Sequence, residues 1–196
     1  MPGPDTGDLS IVKVGGSLFD LPTLGPRLRR LLHRFAGGRV LLVPGGGTAA
    51  DVVRDWDRVH QLGEEASHWL ALQAVRLNAH FIARLLPGTH VVSHPNDMKG
   101  TSAILDAFAF ATSDEQSANP LPHRWDVTTD AIAARAAVVG SASELVLLKS
   151  ADPPPGMEWR AAARAGLVDP VFADVIAESG FKVVWVNFRS GEEYPL

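Results

Sequence analysis

Cysteine is absent from all 196 residues, and with it go disulfides, thiolate metal ligands and cysteine nucleophiles. Positive charge is not in excess: 18 Lys and Arg face 22 Asp and Glu. The formal net charge of −4 gives no general attraction to nucleic acid or to an anionic lipid surface. Long apolar runs are missing too, since stretches such as Val40 to Val43 and Leu145 to Leu148 are far shorter than the ~20 residues of a membrane-spanning helix. Met1 to Ser10 lacks the basic start and apolar stretch of a secretory signal, so a cytoplasmic location is expected. Neither the GxxxxGK[ST] phosphate loop nor the GxGxxG dinucleotide fingerprint occurs, which argues against P-loop and standard Rossmann enzymes. The seven histidines include no HExxH spacing, and no protein-held metal is expected among them.

With 46% hydrophobic and 20% charged residues the chain has a globular composition, and its length suits one domain over residues 1–196. Leu9 to Val14 reads as a buried strand running into Gly15-Gly16-Ser17. Pro26 to Phe35 carries Leu28, Leu31, Leu32 and Phe35 at helical spacing and stops at Gly37-Gly38. Arg39 to Val43 repeats the strand pattern before Pro44-Gly45-Gly46-Gly47, and Thr48 is placed to cap a helix through about Arg58. Ser67 is placed to cap a long helix whose apolar stripe is Leu70, Ala74, Leu77, Phe81 and Leu85, with Arg76, Asn78 and Arg84 elsewhere. After a short strand at His90 to Ser93, residues 94–124 show no clear pattern beyond an apolar patch at Ile104 to Phe110. Asp130 to Val139 and Pro170 to Ser179 read as helices, Glu144 to Leu148 and Lys182 to Asn187 as strands. The alternation predicts an α/β protein, a three-layer αβα sandwich with a mainly parallel central sheet whose ligands gather at the strands' carboxyl ends.

Glycine loops that follow strands and open helices let backbone N–H groups approach phosphate oxygens, and the helix dipole favours the anion. For any one such loop a simple tight turn is the alternative. Two loops, with Lys13 alternating out of the first strand near the same edge, favour phosphate. Phosphoryl transfer asks mainly for positive charge around the transferring group, which Lys13, backbone amides and Mg²⁺ would supply.

Ile11-Val-Lys-Val-Gly-Gly-Ser17, Leu42-Val-Pro-Gly-Gly-Gly47 and Thr128-Thr-Asp-Ala-Ile-Ala133 resemble, in order and spacing, the successive signatures of the amino-acid kinase superfamily. Through Ser67-His68, Arg124-Trp125-Asp126, Val168-Asp169 and Val186-Asn187 the chain is most similar to the archaeal-type aminomethylfuranmethyl-phosphate kinases of methanofuran biosynthesis. The resemblance implies the amino-acid kinase fold, ATP and Mg²⁺ as cofactors, and transfer of a phosphoryl group to a small molecule, here a phosphorylated C1-cofactor precursor. It implies that Lys13 contacts the transferred group, that Gly15, Gly16 and Ser17 bind nucleotide phosphates, that Gly45, Gly46 and Gly47 face the acceptor, and that Asp130 orients the catalytic lysine or a Mg²⁺ ion.

Lys149 and Asp152, in Leu147-Leu-Lys-Ser-Ala-Asp152, resemble the nucleotide-side segment, although Pro153-Pro154-Pro155-Gly156 follows where the family continues Asp-Gly-hydrophobic-Tyr. Many members carry a second catalytic lysine late in the chain; Gly166 to Phe172 has none, and Lys149 is the candidate to compensate. Asp169 is expected beside the acceptor, taking a hydrogen bond or proton from the attacking group, and His68 is expected to face substrate. A surface turn is the alternative for Asp169, and helix capping for His68 and Asp130. Self-association through Trp69 to Leu86 is implied as well, against burial of that helix within the monomer. The competing functions are a non-catalytic nucleotide- or anion-binding protein on the same fold, and a kinase for another small phosphate or carboxylate.

Overall fold

The protein is described by a computed structural model over residues 7–190. Its strands are β1 (Leu9–Val14), β2 (Arg39–Pro44), β3 (His90–Val92), β4 (Ser102–Leu105), β5 (Glu144–Lys149) and β6 (Lys182–Asn187). They pair in the order β3-β4-β2-β1-β5-β6, every pair parallel. Around them lie α1 (Leu24–Arg34), α2 (Gly47–His60), α3 (Glu64–Leu85), α4 (Ala107–Asp114), α5 (Thr129–Val139), α6 (Trp159–Arg164) and α7 (Pro170–Ala177). None of these helices is long and apolar enough to cross a membrane.

Continuous apolar runs suit β1, β2 and β5 because both faces of the sheet are covered. On one face Ile11, Leu41, Val43, Leu145 and Leu147 pack under Phe110, Phe172 and the alanines of α5. On the other, Val12, Val14, Leu42, Val146 and Leu148 pack under Leu24, Leu28 and Leu31 of α1 and Ala79 and Ile82 of α3. The small residues Ala131, Ala133, Ala134, Ala136 and Ala137 are fully buried and let α5 lie close to the sheet. The chain leaves β1 for β2 in one direction and β5 for β6 in the other. The strand order therefore reverses between β1 and β5, and a crevice opens at their carboxyl ends.

Three local expectations are corrected. Thr48 caps nothing: α2 starts at Gly47, behind Gly46, and has no side-chain cap. Ser67 does not cap α3, which starts three residues earlier behind Gly63, whose φ of 84° needs glycine. The buried face of α3 is His68, Leu72, Val75, Asn78, Ala79 and Ile82, whereas Leu70, Leu77 and Phe81 from the expected stripe are exposed. A helix with apolar residues on two faces offers two stripes, and the one that packs is fixed by the partner rather than by the helix itself.

Candidate active site

Lys13 lies near the end of β1, in register with Leu147 of β5, so Lys13, Leu147 and Lys149 share the face covered by α5. Thr128 caps α5 by accepting from the Asp130 N–H, which sets the Asp130 carboxylate at the helix start, above both lysines. Lys13 Nζ meets Oδ1 at 2.8 Å and Lys149 Nζ meets Oδ2 at 2.7 Å. Lys149 also donates to the Leu167 carbonyl at 3.0 Å. Lys13 and Asp130 are only 6% and 4% exposed. Burial pushes the Asp130 carboxyl up, but the two ammonium groups outweigh it and hold it below the usual carboxylate value. Burial and then the Lys13 charge lower the Lys149 ammonium, against the pull of Asp130.

The two glycine loops meet beside this centre. A methyl group on Gly16 would fall well inside contact distance of the Gly47 nitrogen, and one on Gly45 would strike the Gly16 nitrogen. Gly15 is tied to β5 by its N–H on the Leu148 carbonyl at 2.9 Å, and Ser17 by a hydroxyl contact to Ser150 at 3.1 Å. Asn78, buried on α3, donates to the carbonyls of Gly45 and Gly46 at 2.8 and 2.7 Å and so fixes how the second loop is turned. Gly16→Ala must part the loops or shift their backbones, and overpacking of this kind costs about 1–3 kcal/mol. The melting temperature measured by circular dichroism is expected to fall by roughly 2–12 °C for a chain of this size.

Behind the second loop a narrow cavity of about 70 Å³ runs between α2, α3 and α5. Its walls include Gly46, Arg54, His68, Leu72, Arg124 and Trp125. His68 is 5% exposed, and burial, partly offset by a hydrogen bond with the Arg124 backbone, lowers its imidazole below the usual value. Trp125 donates from Nε1 to Asp57 at 2.8 Å and carries the Arg54 guanidinium over its ring.

Asp169 is neither on a surface turn nor on the cavity wall. It is 5% exposed; Oδ1 accepts from the Phe172 N–H at 2.6 Å, and Oδ2 accepts from the Thr128 N–H and hydroxyl and the Ala131 N–H at 3.1, 2.7 and 3.0 Å. One carboxylate thus caps α7 and anchors the start of α5. Burial pushes its carboxyl up while these bonds pull it down, and the rise wins. With its oxygens so engaged it is badly placed to take a proton from an attacking group, a correction to the sequence reading. Asp152 is exposed on the loop beyond β5. Lys13, Lys149, Asp130 and both glycine loops are brought together, with His68 on the neighbouring cavity. Asn78, Arg54 and Trp125 were not singled out from sequence as site residues.

The six-stranded all-parallel sheet flanked by helices is the amino-acid kinase fold seen in the solved structures to which the chain is similar. Solved structures similar to this chain include UMP kinases. That from Ureaplasma parvum has a TM-score of 0.66 at 12% identity, over 92% of this chain and 90% of that one. The uridylate kinase of Archaeoglobus fulgidus has 0.63 at 15%, over 91% and 90%, and the UMP kinase of Bacillus anthracis 0.62 at 13%, over 92% and 87%. No family model and no curated protein sequence matches the chain.

Proposed function

We propose that the protein is an ATP-dependent small-molecule kinase whose acceptor is a phosphorylated precursor of a C1 cofactor of the methanofuran type. The observation that carries this reading is the pair Lys13 and Lys149 sharing the buried Asp130 carboxylate, 2.8 and 2.7 Å away, beside two glycine loops in backbone contact. The amides of Gly16 and Ser17 hold the nucleotide phosphates, with Gly15 fixing the loop through its N–H on Leu148; those of Gly46 and Gly47 turn toward the acceptor, aided by the uncapped start of α2, with Gly45 held by its N–H on Val14. Lys13 and Lys149 neutralise the charge that spreads over the transferring group, and Asp130 keeps both ammonium groups aimed. Asp169 positions α5, and Asp130 with it, and takes no proton. Magnesium, when bound, supplies charge neutralisation across the nucleotide phosphates. Both Asp130 oxygens face lysines, so the ion would be held chiefly by phosphate oxygens.

The narrower acceptor reading is supported by where its sequence signatures fall: His68, Arg124 and Trp125 all line the cavity. Arg54, Arg124 and His68 would meet the acceptor's phosphate, and Leu72, Val75 and Trp125 its ring. The non-catalytic alternative rests on the missing late lysine and on the altered nucleotide segment at Pro153 to Gly156; Lys149 on Asp130 answers the first. The test is ATP consumption by the purified protein with aminomethylfuranmethyl phosphate, UMP, an isoprenoid phosphate and an acidic amino acid as acceptors. Turnover with the first is expected. Calorimetric binding of ATP without turnover of any acceptor would favour the non-catalytic reading.

The protein would work in the cytoplasm as a homo-oligomer. Supporting self-association, Val52, Trp56 and Val59 of α2 and Leu70, Leu77 and Phe81 of α3 are exposed. Light scattering is expected to give at least a dimer mass, and Leu77→Glu to shift it toward the monomer.

A further inference from the structure

Arg124, Trp125 and Val127 give the cavity a wall that belongs to no helix or strand. Pro120 and Pro122 just before it have no N–H to donate. The backbone bonds of Arg124 to Pro122 and Val127 to Arg124 close the segment on itself rather than tie it to the fold. Side chains make the ties. Trp125 reaches Asp57 of α2, and the Arg124 backbone pairs with His68 of α3.

His123 makes the largest set. Its Nδ1 lies 3.0 and 3.1 Å from the two carboxylate oxygens of Glu65 on α3, and its Nε2 lies 2.7 Å from Glu115, just beyond α4. Both ring nitrogens face carboxylates, an arrangement satisfied when both carry hydrogen. The ring stacks on His68 at 5.2 Å and meets the edge of Trp69 at 4.8 Å.

We propose that His123 is a positioning residue, an imidazolium pin that joins α3 and the end of α4 to residues 121–127 and thereby fixes the cavity wall that places His68 and Trp125. That the wall serves an acceptor rests on the kinase reading above; the pin itself does not. The charged groups around His123 are Glu65 and His68 on α3, Glu115 past α4, and on its own segment Arg124, which pairs with Asp126. Burial works against the imidazolium, but the two glutamates outweigh it and raise the group above 6.5. The same positive charge adds to burial in keeping His68 neutral. A raised histidine contributes in full below its unfolded value near 6.5, and its contribution is lost as pH climbs through the folded value. In acid the pin is released a second time, as Glu65, held below the usual carboxylate value by its bonds from Trp69 and His123, protonates.

The test is hydrogen–deuterium exchange of peptides covering residues 121–127, corrected for the intrinsic pH dependence of exchange, in the wild type, in His123→Gln and in Glu65→Gln. Glu65 is exposed, so its substitution does not threaten the fold. Loss of the charged hydrogen bonds is expected to speed exchange of this segment about tenfold in His123→Gln, with β1 and α5 unchanged. The wild type should show the same rise between pH 6 and 9. Histidine-selective NMR should find His123 titrating above 6.5 in the wild type and lower in Glu65→Gln. With ATP and aminomethylfuranmethyl phosphate, His123→Gln should raise the acceptor KM and leave kcat nearly unchanged. Unchanged exchange of 121–127 in His123→Gln, or a His123 titration at or below 6.5, would overturn the pin. If exchange and titration behave as expected while no acceptor is turned over, the pin stands and the kinase reading falls.

Discussion

Asp130→Asn is expected to lower the melting temperature by roughly 6–20 °C, the largest loss of stability at the site. The carboxylate is 4% exposed and faces two ammonium groups. Removing its charge leaves Lys13 and Lys149 close together in a buried place, with a single neutral amide oxygen between them and, for Lys149, the Leu167 carbonyl and the Trp185 ring. Breaking a buried ion pair by deleting one partner costs about 3–5 kcal/mol, and each kcal/mol is about 2–4 °C in a chain of this length. Lys149 can relieve part of that cost by giving up its proton, since its ammonium is already held below the usual lysine value. The pH dependence separates this cause from a packing defect. The Asp130 carboxyl is depressed in the folded protein, so its contribution is fully present above its unfolded value of 3.8 and is lost as pH falls through the lower folded value. Thermal unfolding by circular dichroism should therefore show a constant gap between wild type and variant from pH 5 to 7, closing only in strong acid. A gap that stays open in acid would mean that shape, not charge, is what the variant loses.

Lys13→Met should behave in the opposite way, with the fold retained and chemistry lost. Asp130 keeps Lys149 at 2.7 Å, and the methionine fills the apolar stem's place on β1. The melting temperature is expected to stay within a few degrees, whereas kcat falls on the order of 100- to 1,000-fold, the cost of one well-placed donor to a transition state. Lys149→Met should fall in the same range. The double variant should lose much less than the product of the two, because both ammonium groups serve one charge and one carboxylate. Initial rates of ATP consumption measure all three. Turnover in Lys13→Met equal to the wild type would end the mechanism proposed here.

Sequence patterns revealed the sheet better than its surroundings. β1, β2 and β5 were legible because a strand buried on both faces is a continuous apolar run and needs no partner to be recognised, and the half-buried edge strand β6 was legible through its run Val183 to Val186. β4 and α4 were not, since four and eight residues are too few to establish a period, and α4 depends on the Asp106 side chain that accepts from Ala109. The lysine–aspartate centre was half legible. Lys13 and Asp130 stand in recognisable motifs, but that Lys149 would take the second oxygen of Asp130 follows from the β1–β5 register, which no local signal encodes. Asn78 was placed away from the packed face because α3 carries two apolar stripes, and His123 lay in the stretch without a pattern. The motif around Asp169 points to chemistry, and what it does not reveal is that four hydrogen bonds to its carboxylate lock two helix starts together.

The contact between Gly16 and Gly47 sets what can vary in such a protein and what cannot. On the proposed kinase reading, the distance from donor to acceptor would be set by main chain against main chain, without any side chain in between. Substitutions at positions such as 50, 54, 72 or 125 would then reshape the room proposed for the acceptor and leave that distance alone. A lineage could therefore exchange one acceptor for another by repainting the cavity, while the seam between the loops continues to hold the transfer geometry constant.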